Sequence, residues 1–512
     1  MIKEKMNFFN FEPEVTAPED KGRTSLQSAD GAVKVVLYPG KDPVSETVLR
    51  FRFDTESIVS VLADAWGVAV GDLGWKAPEN GKFMPWYFFA EAKDELYAFG
   101  VRTGCAAFCS WYISEGYITL RCDTRSGGEG VVLKDALTVC EVLSARLEKA
   151  GGAVRGDEKY AFCRSFCGMM CEKPNLPGRP MFGYNTWYNT YGDITRKSVL
   201  GFAADCAASC AGIDSYKPFM VIDDGWQASR IPKTYNGAPY APNSDFGDMK
   251  KVAEDIAKTG CVPGIWIRPM LTLDELGEEC FSKMPQPPAM GRFLDITSPG
   301  AREYIYSLVK GVADAGYGLI KHDFTSPDFM GKNFLKAELT VPGWTLFDRS
   351  VTNAQALMSL YRLIEEASGS AVIIGCNTFS HLAAGIHSAQ RTGCDTSGRD
   401  WNVTKKNGIN SLVYRLCQNG TFYTADPDCA AFTDKVPIEL NLRYAELISR
   451  LGGVLFVSAD HGILKGNDLE RLNASFARCA AEQNDAVPLD WDKTSLPSEF
   501  LSEGEVLRFI WE

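Results

Sequence analysis

Short apolar runs alternate with amphipathic stretches through the middle of the chain. Eight of the runs read as strands: Met181–Trp187, Pro218–Asp223, Pro263–Ile267, Leu319–Asp323, Ala371–Asn377, Ala389–Asp395, Thr421–Ala425 and Val454–Ser458. Runs this short and this continuously apolar fit strands buried on both faces, as in a parallel sheet covered by helices. The stretches between them read as helices, among them Ile194–Ala211 behind Asp193 as N-cap, Met249–Lys258, and Arg302–Ala315 with Pro299 just ahead. Strand and helix alternating eight times predict an α/β fold, a closed (β/α)8 TIM barrel.

The first 150 residues follow a different pattern. Segments such as Ala32–Tyr38 and Tyr117–Cys122, separated by Gly, Pro and Asp turns, predict an N-terminal β-sandwich. Gly151-Gly152 and the loop Pro174–Pro180 mark a junction, so residues 151–178 read as a linker, 179–482 as the barrel and 483–512 as a short C-terminal β segment.

At 512 residues the chain exceeds the roughly 250 to 300 at which one core stops growing, in keeping with this division. A net charge of −12 repels polyanions, which argues against a nucleic-acid partner. No apolar run approaches the roughly 18 residues that cross a bilayer, and Met1–Asn7 leads into no signal-like stretch, so a soluble protein with no membrane partner is expected. The sixteen cysteines are scattered through predicted helices and strands, which fits reduced thiols and a cytoplasmic location. The run Cys163–Cys171 steps by four, the spacing of one helix face rather than of the paired CxxC of a zinc site. Nothing in the sequence specifies an oligomeric state; a homo-oligomer is compatible with it.

Polar residues gather where the predicted strands end, the face on which barrels place their chemistry. Lys321 and Asp323 are two apart on one strand and leave it on the same side, so the ammonium is expected to hold the carboxylate ionised, as a nucleophile requires. Arg391 and Asp395 span the end of a later strand; Asp395 there can act as general acid/base, with Asp400 as the alternative acid. Asp223 and Asp224 end another strand and can accept hydrogen bonds from sugar hydroxyls. With four histidines in the chain and no paired-His spacing near these acids, zinc is not expected and the site is read as metal-free, with oxygen-coordinated magnesium or calcium as the alternative. Trp187, Trp226 and Trp266 fall at strand ends, where an indole can cover the apolar face of a pyranose. Cys376, Asn377 and Ser380 follow a fifth strand and can face the second carbon of the ring, while Asp426-Pro427-Asp428 and Ser458-Ala459-Asp460 can brace the floor. Two differently tuned carboxylates over one substrate are the equipment of a retaining glycosidase.

The order Gly183–Trp187, Asp223–Trp226, Gly264–Trp266, Lys321–Asp323, Cys376-Asn377 and Arg391–Asp395, with Leu294–Pro299 before the Lys321 strand, resembles the α-galactosidase clan, glycoside hydrolase families 27 and 36. The β-rich N-terminus is similar to family 36. The resemblance covers most of residues 179–460 and implies Asp323 as nucleophile and Asp395 as acid/base. It implies that Asp223 and Asp224 hold the fourth and sixth hydroxyls, with Trp187, Trp266, Lys321, Cys376 and Arg391 completing the pocket. A retaining exo-α-galactosidase without cofactor follows, the alternatives being an α-N-acetylgalactosaminidase, an α-galactosyl transglycosylase, or a noncatalytic carbohydrate-binding barrel. Arg268 departs from the acid of many family-36 proteins, and Cys376–Ser380 lacks a glycine-rich turn.

Overall fold

A computed structural model describes residues 14–15, 23–29, 32–93, 95–148, 154–228, 241–285, 291–331 and 336–512. Met1–Asn7 and Gly151-Gly152 lie outside the described residues.

The eight strands form one parallel sheet: β1 (Phe182–Asn185), β2 (Phe219–Ile222), β3 (Val262–Ile267), β4 (Leu319–His322), β5 (Val372–Gly375), β6 (Ala389–Arg391), β7 (Thr424–Asp426) and β8 (Leu455–Ala459). β1 pairs with both β2 and β8, for example Gly183 with Phe219 and Phe456. The ring closes through β7. Val454 N donates to Ala425 O at 2.8 Å, the chain steps out of the sheet at Pro427–Cys429, and Ala430–Phe432 resumes beside β8. The seventh strand is thus two pieces around an out-turned Asp428, which the expected Thr421–Ala425 run did not foresee.

Most strands end sooner than expected. The sixth was read through to Asp395 but leaves the sheet after Arg391. Thr392 N makes the last bond to β7, donating to Asp426 O, and Cys394 N then turns away to donate to Ala69 O of the sandwich. Trp187 likewise leaves β1 and opens the short helix Trp187–Thr190.

The helices follow their end signals. Met249–Lys258 is capped by Asp248, whose side chain accepts from Lys250 N at 2.9 Å. The helix Pro299–Asp314 carries Pro299 in its first turn, where a missing N–H costs nothing. The cap of Arg196–Ser209 is Thr195 rather than Asp193, because Thr195 Oγ1 reaches Ser198 N at 3.1 Å. Cys163 and Cys167 lie buried on the helix Gly156–Met170, in keeping with their four-residue step.

The N-terminal region is a β-sandwich of one five-stranded and one six-stranded antiparallel sheet. Ala32–Leu37 and Tyr117–Asp123 are strands of it. The sheets meet through an aromatic core in which Phe99 and Trp111 ring centroids lie 6.2 Å apart. At the other terminus, Val487–Pro488, Glu499–Ser502 and Glu505–Arg508 make a small antiparallel sheet. The cysteines are free thiols, all buried but Cys394. No helix among the described residues is long and apolar enough to cross a membrane.

Candidate active site

Every side chain singled out from the sequence as catalytic or substrate-binding sits at or just beyond the carboxyl end of a barrel strand. Asp323 follows β4 and is held by three donors. Trp266 Nε1 on β3 reaches Oδ2 at 3.0 Å, while Asn377 Nδ2 beyond β5 and Phe324 N reach Oδ1 at 2.7 and 2.6 Å. The backbone is bent to make these bonds: Phe324 and Asn377 have φ of 61° and 49°, in the left-handed region that side chains usually avoid. Residues held there cost on the order of 1–3 kcal/mol each and collect at functional sites.

The Lys321 ammonium does not pair with Asp323 as expected. It donates to Asp223 Oδ2 across two strands at 2.8 Å, and Asn185 Nδ2 donates to the same oxygen at 2.7 Å. Strand parity put Lys321 and Asp323 on one side of β4, but it carries no information about which neighbour is in reach. Burial works against the Lys321 charge; Asp223, with Cys376 and Asp428 behind it, outweighs this and keeps the lysine protonated.

Asp224 is buried beside Asp223, and its Oδ1 has no hydrogen-bond partner among the described residues. Burial, then the Asp223 charge, push its carboxyl up to about 7. Two side-chain donors meet Asp223 Oδ2 and the Asp224 N–H meets its Oδ1, whereas Asp224 Oδ1 can still accept a hydrogen bond.

Arg391, at the end of β6, is committed chiefly to Asp428. Its Nη2 meets Asp428 Oδ2 at 2.7 Å and Asp395 Oδ1 at 3.1 Å, while Nη1 donates to Cys376 Sγ at 3.3 Å. Asp428 also accepts from the Tyr188 hydroxyl and from Thr396 N. Burial alone would raise the Asp428 carboxyl, but Arg391 and then Lys321 outweigh it and hold the group below the usual range. Asp395 differs. Its side chain is 59% accessible, open to the barrel mouth, and Arg391 is the one described side chain that bonds it. Solvent reaches it from the mouth, while the protein walls on its other sides push its carboxyl up, Arg391 pulls it down, and Asp428 and Asp323 add to the rise.

Among the described residues, Lys321 and Arg391 are fixed cations standing among the acids Asp223, Asp224, Asp323, Asp395 and Asp428. Like charges crowded together cannot all ionise at once. Asp224 and Asp395 are both pushed upward.

Other expected residues take supporting places. Trp187 is half-buried, its ring 5.7 Å from Tyr191. Trp226 is buried and donates to Trp266 O at 3.0 Å, so it packs beneath the pocket. Ser380 opens the buried helix Ser380–Ala383 and does not join the Asp323 cluster. Asp400 caps Trp401–Thr404 by accepting from Asn402 N at 2.9 Å, which removes it as the alternative acid. Arg268 is buried and clasps Asp328 with bonds of 2.8 and 2.6 Å, its guanidinium 4.4 Å from the Phe324 ring centroid. It thereby packs the residue next to Asp323. Ser458 Oγ donates to Asn185 O at 2.7 Å and ties β8 to β1.

Sequence reasoning assigned no role to Asn185, Tyr188 or Asp328. Asn185 was visible only as a polar residue closing an apolar run; Tyr188 and Asp328 gave no signal because their partners are remote in sequence. Among the described residues, the one group of His, Cys, Asp or Glu with metal-like spacing is Cys109, Cys122 and Cys140 in the sandwich core.

No protein-family model matches the chain. Solved structures share its fold. An α-galactosidase from Thermus thermophilus in complex with p-nitrophenyl α-D-galactopyranoside superposes with a TM-score of 0.62 at 15% identity, covering 95% of this chain and 98% of that one. The galactosidase domain of the α-galactosidase–sucrose kinase AgaSK gives 0.64 at 13%, covering 94% and 70%. A Flavobacterium johnsoniae GH31 dextranase complexed with glucose gives 0.56 at 10%, covering 98% and 67%. At these identities the likeness is one of fold: a sandwich followed by a (β/α)8 barrel.

Proposed function

We propose that the chain is a retaining glycoside hydrolase acting on terminal α-galactosides or a close relative. The observation that carries this reading is the contrast between two acids of one pocket: Asp323 held by three donors, Asp395 bonded by a single side chain and pushed toward its protonated form. In this reading Asp323 attacks the anomeric carbon through Oδ2, which carries one donor against the two on Oδ1. Asp395 delivers its proton to the departing glycosidic oxygen, then takes one from the water that releases the sugar from Asp323.

Asp224 accepts a sugar hydroxyl at its unpartnered oxygen, and Asp223, fixed by Lys321 and Asn185, shapes the pocket wall beside it. Trp187 offers an aromatic plane to the ring. Galactose as the sugar rests on the motif resemblance and on the fold shared with α-galactosidases; the dextranase shows that the same architecture serves an enzyme of another name.

The test is a panel of aryl α- and β-glycosides assayed with the wild type, Asp323→Ala and Asp395→Ala. Turnover of an α-galactoside that both variants lose while folded supports the reading. Binding of sugar without turnover of any α-glycoside refutes it.

A further inference from the structure

One segment of the sandwich, Asp64–Leu73, reaches the barrel, bonds to the loop beyond β6 and passes against the loop beyond β5. Ala69 N donates to Thr392 O at 2.9 Å and Cys394 N returns a bond to Ala69 O at 2.8 Å, a parallel bridge beside the loop that ends in Asp395. Arg415, from the barrel, stands between the two. Its Nε donates to Asp64 Oδ1 at 2.8 Å, Nη1 to Thr392 O at 2.8 Å and Nη2 to Ala65 O at 3.1 Å. Gln418 Nε2 holds the other Asp64 oxygen at 2.9 Å. The Asp64 and Arg415 side chains are each 1% exposed.

Two more contacts complete the attachment. Asn410 Nδ2 donates to Leu73 O at 2.9 Å, and a Cβ on Gly67 would stand 2.3 Å from Thr378 O, so the backbone passes directly against the loop after Asn377. The other side of the segment borders a cavity of about 310 Å³. Trp66 anchors the segment in the sandwich, its ring centroid 4.9 Å from Trp86 and 5.7 Å from Phe108, and the polar bonds fix it against the barrel.

We infer that Asp64, acting through Arg415, is a positioning residue for Asp395. Arg391 is the one described side chain that bonds the Asp395 carboxyl, and Arg391 is itself committed to Asp428, so where the carboxyl sits depends on the Thr392–Asp395 backbone. That backbone leaves the sheet after Arg391 and is met at Thr392 O by both Ala69 and Arg415. Losing the buried pair frees the loop by an amount that matters to proton delivery, since a displacement of about 1 Å can cost on the order of 100-fold in rate. The inference rests on Asp395 being the acid/base.

The test compares leaving groups. A departing dinitrophenolate needs no proton, whereas a phenoxide or alkoxide does, so damage to the acid alone slows poor leaving groups selectively. Asp64→Asn is one probe. The double variant Asp64→Leu with Arg415→Met is the second, because apolar replacement of a buried pair leaves no lone charge to unfold the protein. Both are assayed on phenyl and 2,4-dinitrophenyl α-D-galactopyranosides beside Asp395→Ala, with circular dichroism to verify folding.

The expected result is a fall in kcat/KM of about 10- to 100-fold on the phenyl substrate against less than about threefold on the dinitrophenyl one, with a larger split for Asp395→Ala. If Asp395→Ala shows the split and both Asp64 variants lose activity evenly or not at all, the positioning role is overturned. If Asp395→Ala itself shows no split, the acid/base assignment falls, and the inference with it.

Discussion

Replacing Asp224 by asparagine should weaken the enzyme and strengthen the fold. The wild-type carboxyl is buried beside Asp223, which pushes it from an ordinary 3.8 up to about 7. A folded-state value above the unfolded one means that ionisation opposes folding. The penalty is absent below the unfolded value near 4, grows as pH rises through the window from 4 to 7, and is complete above 7. At about 1.36 kcal/mol per unit, a rise of roughly three units sets an upper bound of about 4 kcal/mol. Asparagine keeps the shape and drops the charge, so the variant should recover part of this at pH 8 and progressively less toward pH 4. An unfolding entropy of about 2.1 cal/mol/K per residue, over 512 residues, converts each kcal/mol to roughly 1 °C. Scanning calorimetry from pH 5 to 8 should show a gain of up to about 4 °C that grows with pH. Activity should move the other way, with kcat/KM on an aryl α-galactoside falling on the order of 100-fold or more, as expected where a buried acceptor meets a substrate hydroxyl. A stability difference independent of pH, or unchanged activity, would refute the reasoning.

The Arg391–Asp428 pair gives a second prediction: Asp428→Asn should cost about 3–5 kcal/mol, read by urea unfolding, because it strands a buried guanidinium. Trp266→Phe removes one donor from Asp323 while keeping an aromatic ring, and should lower kcat about 10- to 100-fold with little change in melting temperature. Asp328→Ala leaves Arg268 without its carboxylate and should destabilise by a similar 3–5 kcal/mol. Activity should survive EDTA, since the Lys321 and Arg391 cations already sit against Asp223, Asp428 and Asp395; loss on chelation and return with one metal would contradict this.

The barrel was legible because most strands are brief apolar runs closed by a polar residue, and because Pro299 marks a helix start. Which residues stand at the strand ends was legible for the same reason. Their partners were not. Lys321 faces Asp223 rather than Asp323 because cross-strand distance, not parity along one strand, decides an ion pair. The break in the seventh strand turns on a left-handed Asp428, φ 72°, stabilised by Arg391, Tyr188 and Thr396, three groups distant in sequence. The reach of the sandwich to Thr392 was invisible as well, since Ala69 carries no signal beyond its backbone.

The central claim, a covalent bond from Asp323 to the sugar with Asp395 moving the proton, is tested most directly by trapping. The protein is incubated with a fluorinated α-galactosyl substrate whose glycosyl-enzyme hydrolyses slowly, digested, and mapped by mass spectrometry. The account predicts one added sugar on the peptide bearing Asp323, formed more slowly in Asp395→Ala when the leaving group is poor. Label on another residue, or turnover of the unfluorinated α-galactoside that yields the β-anomer first, would contradict it.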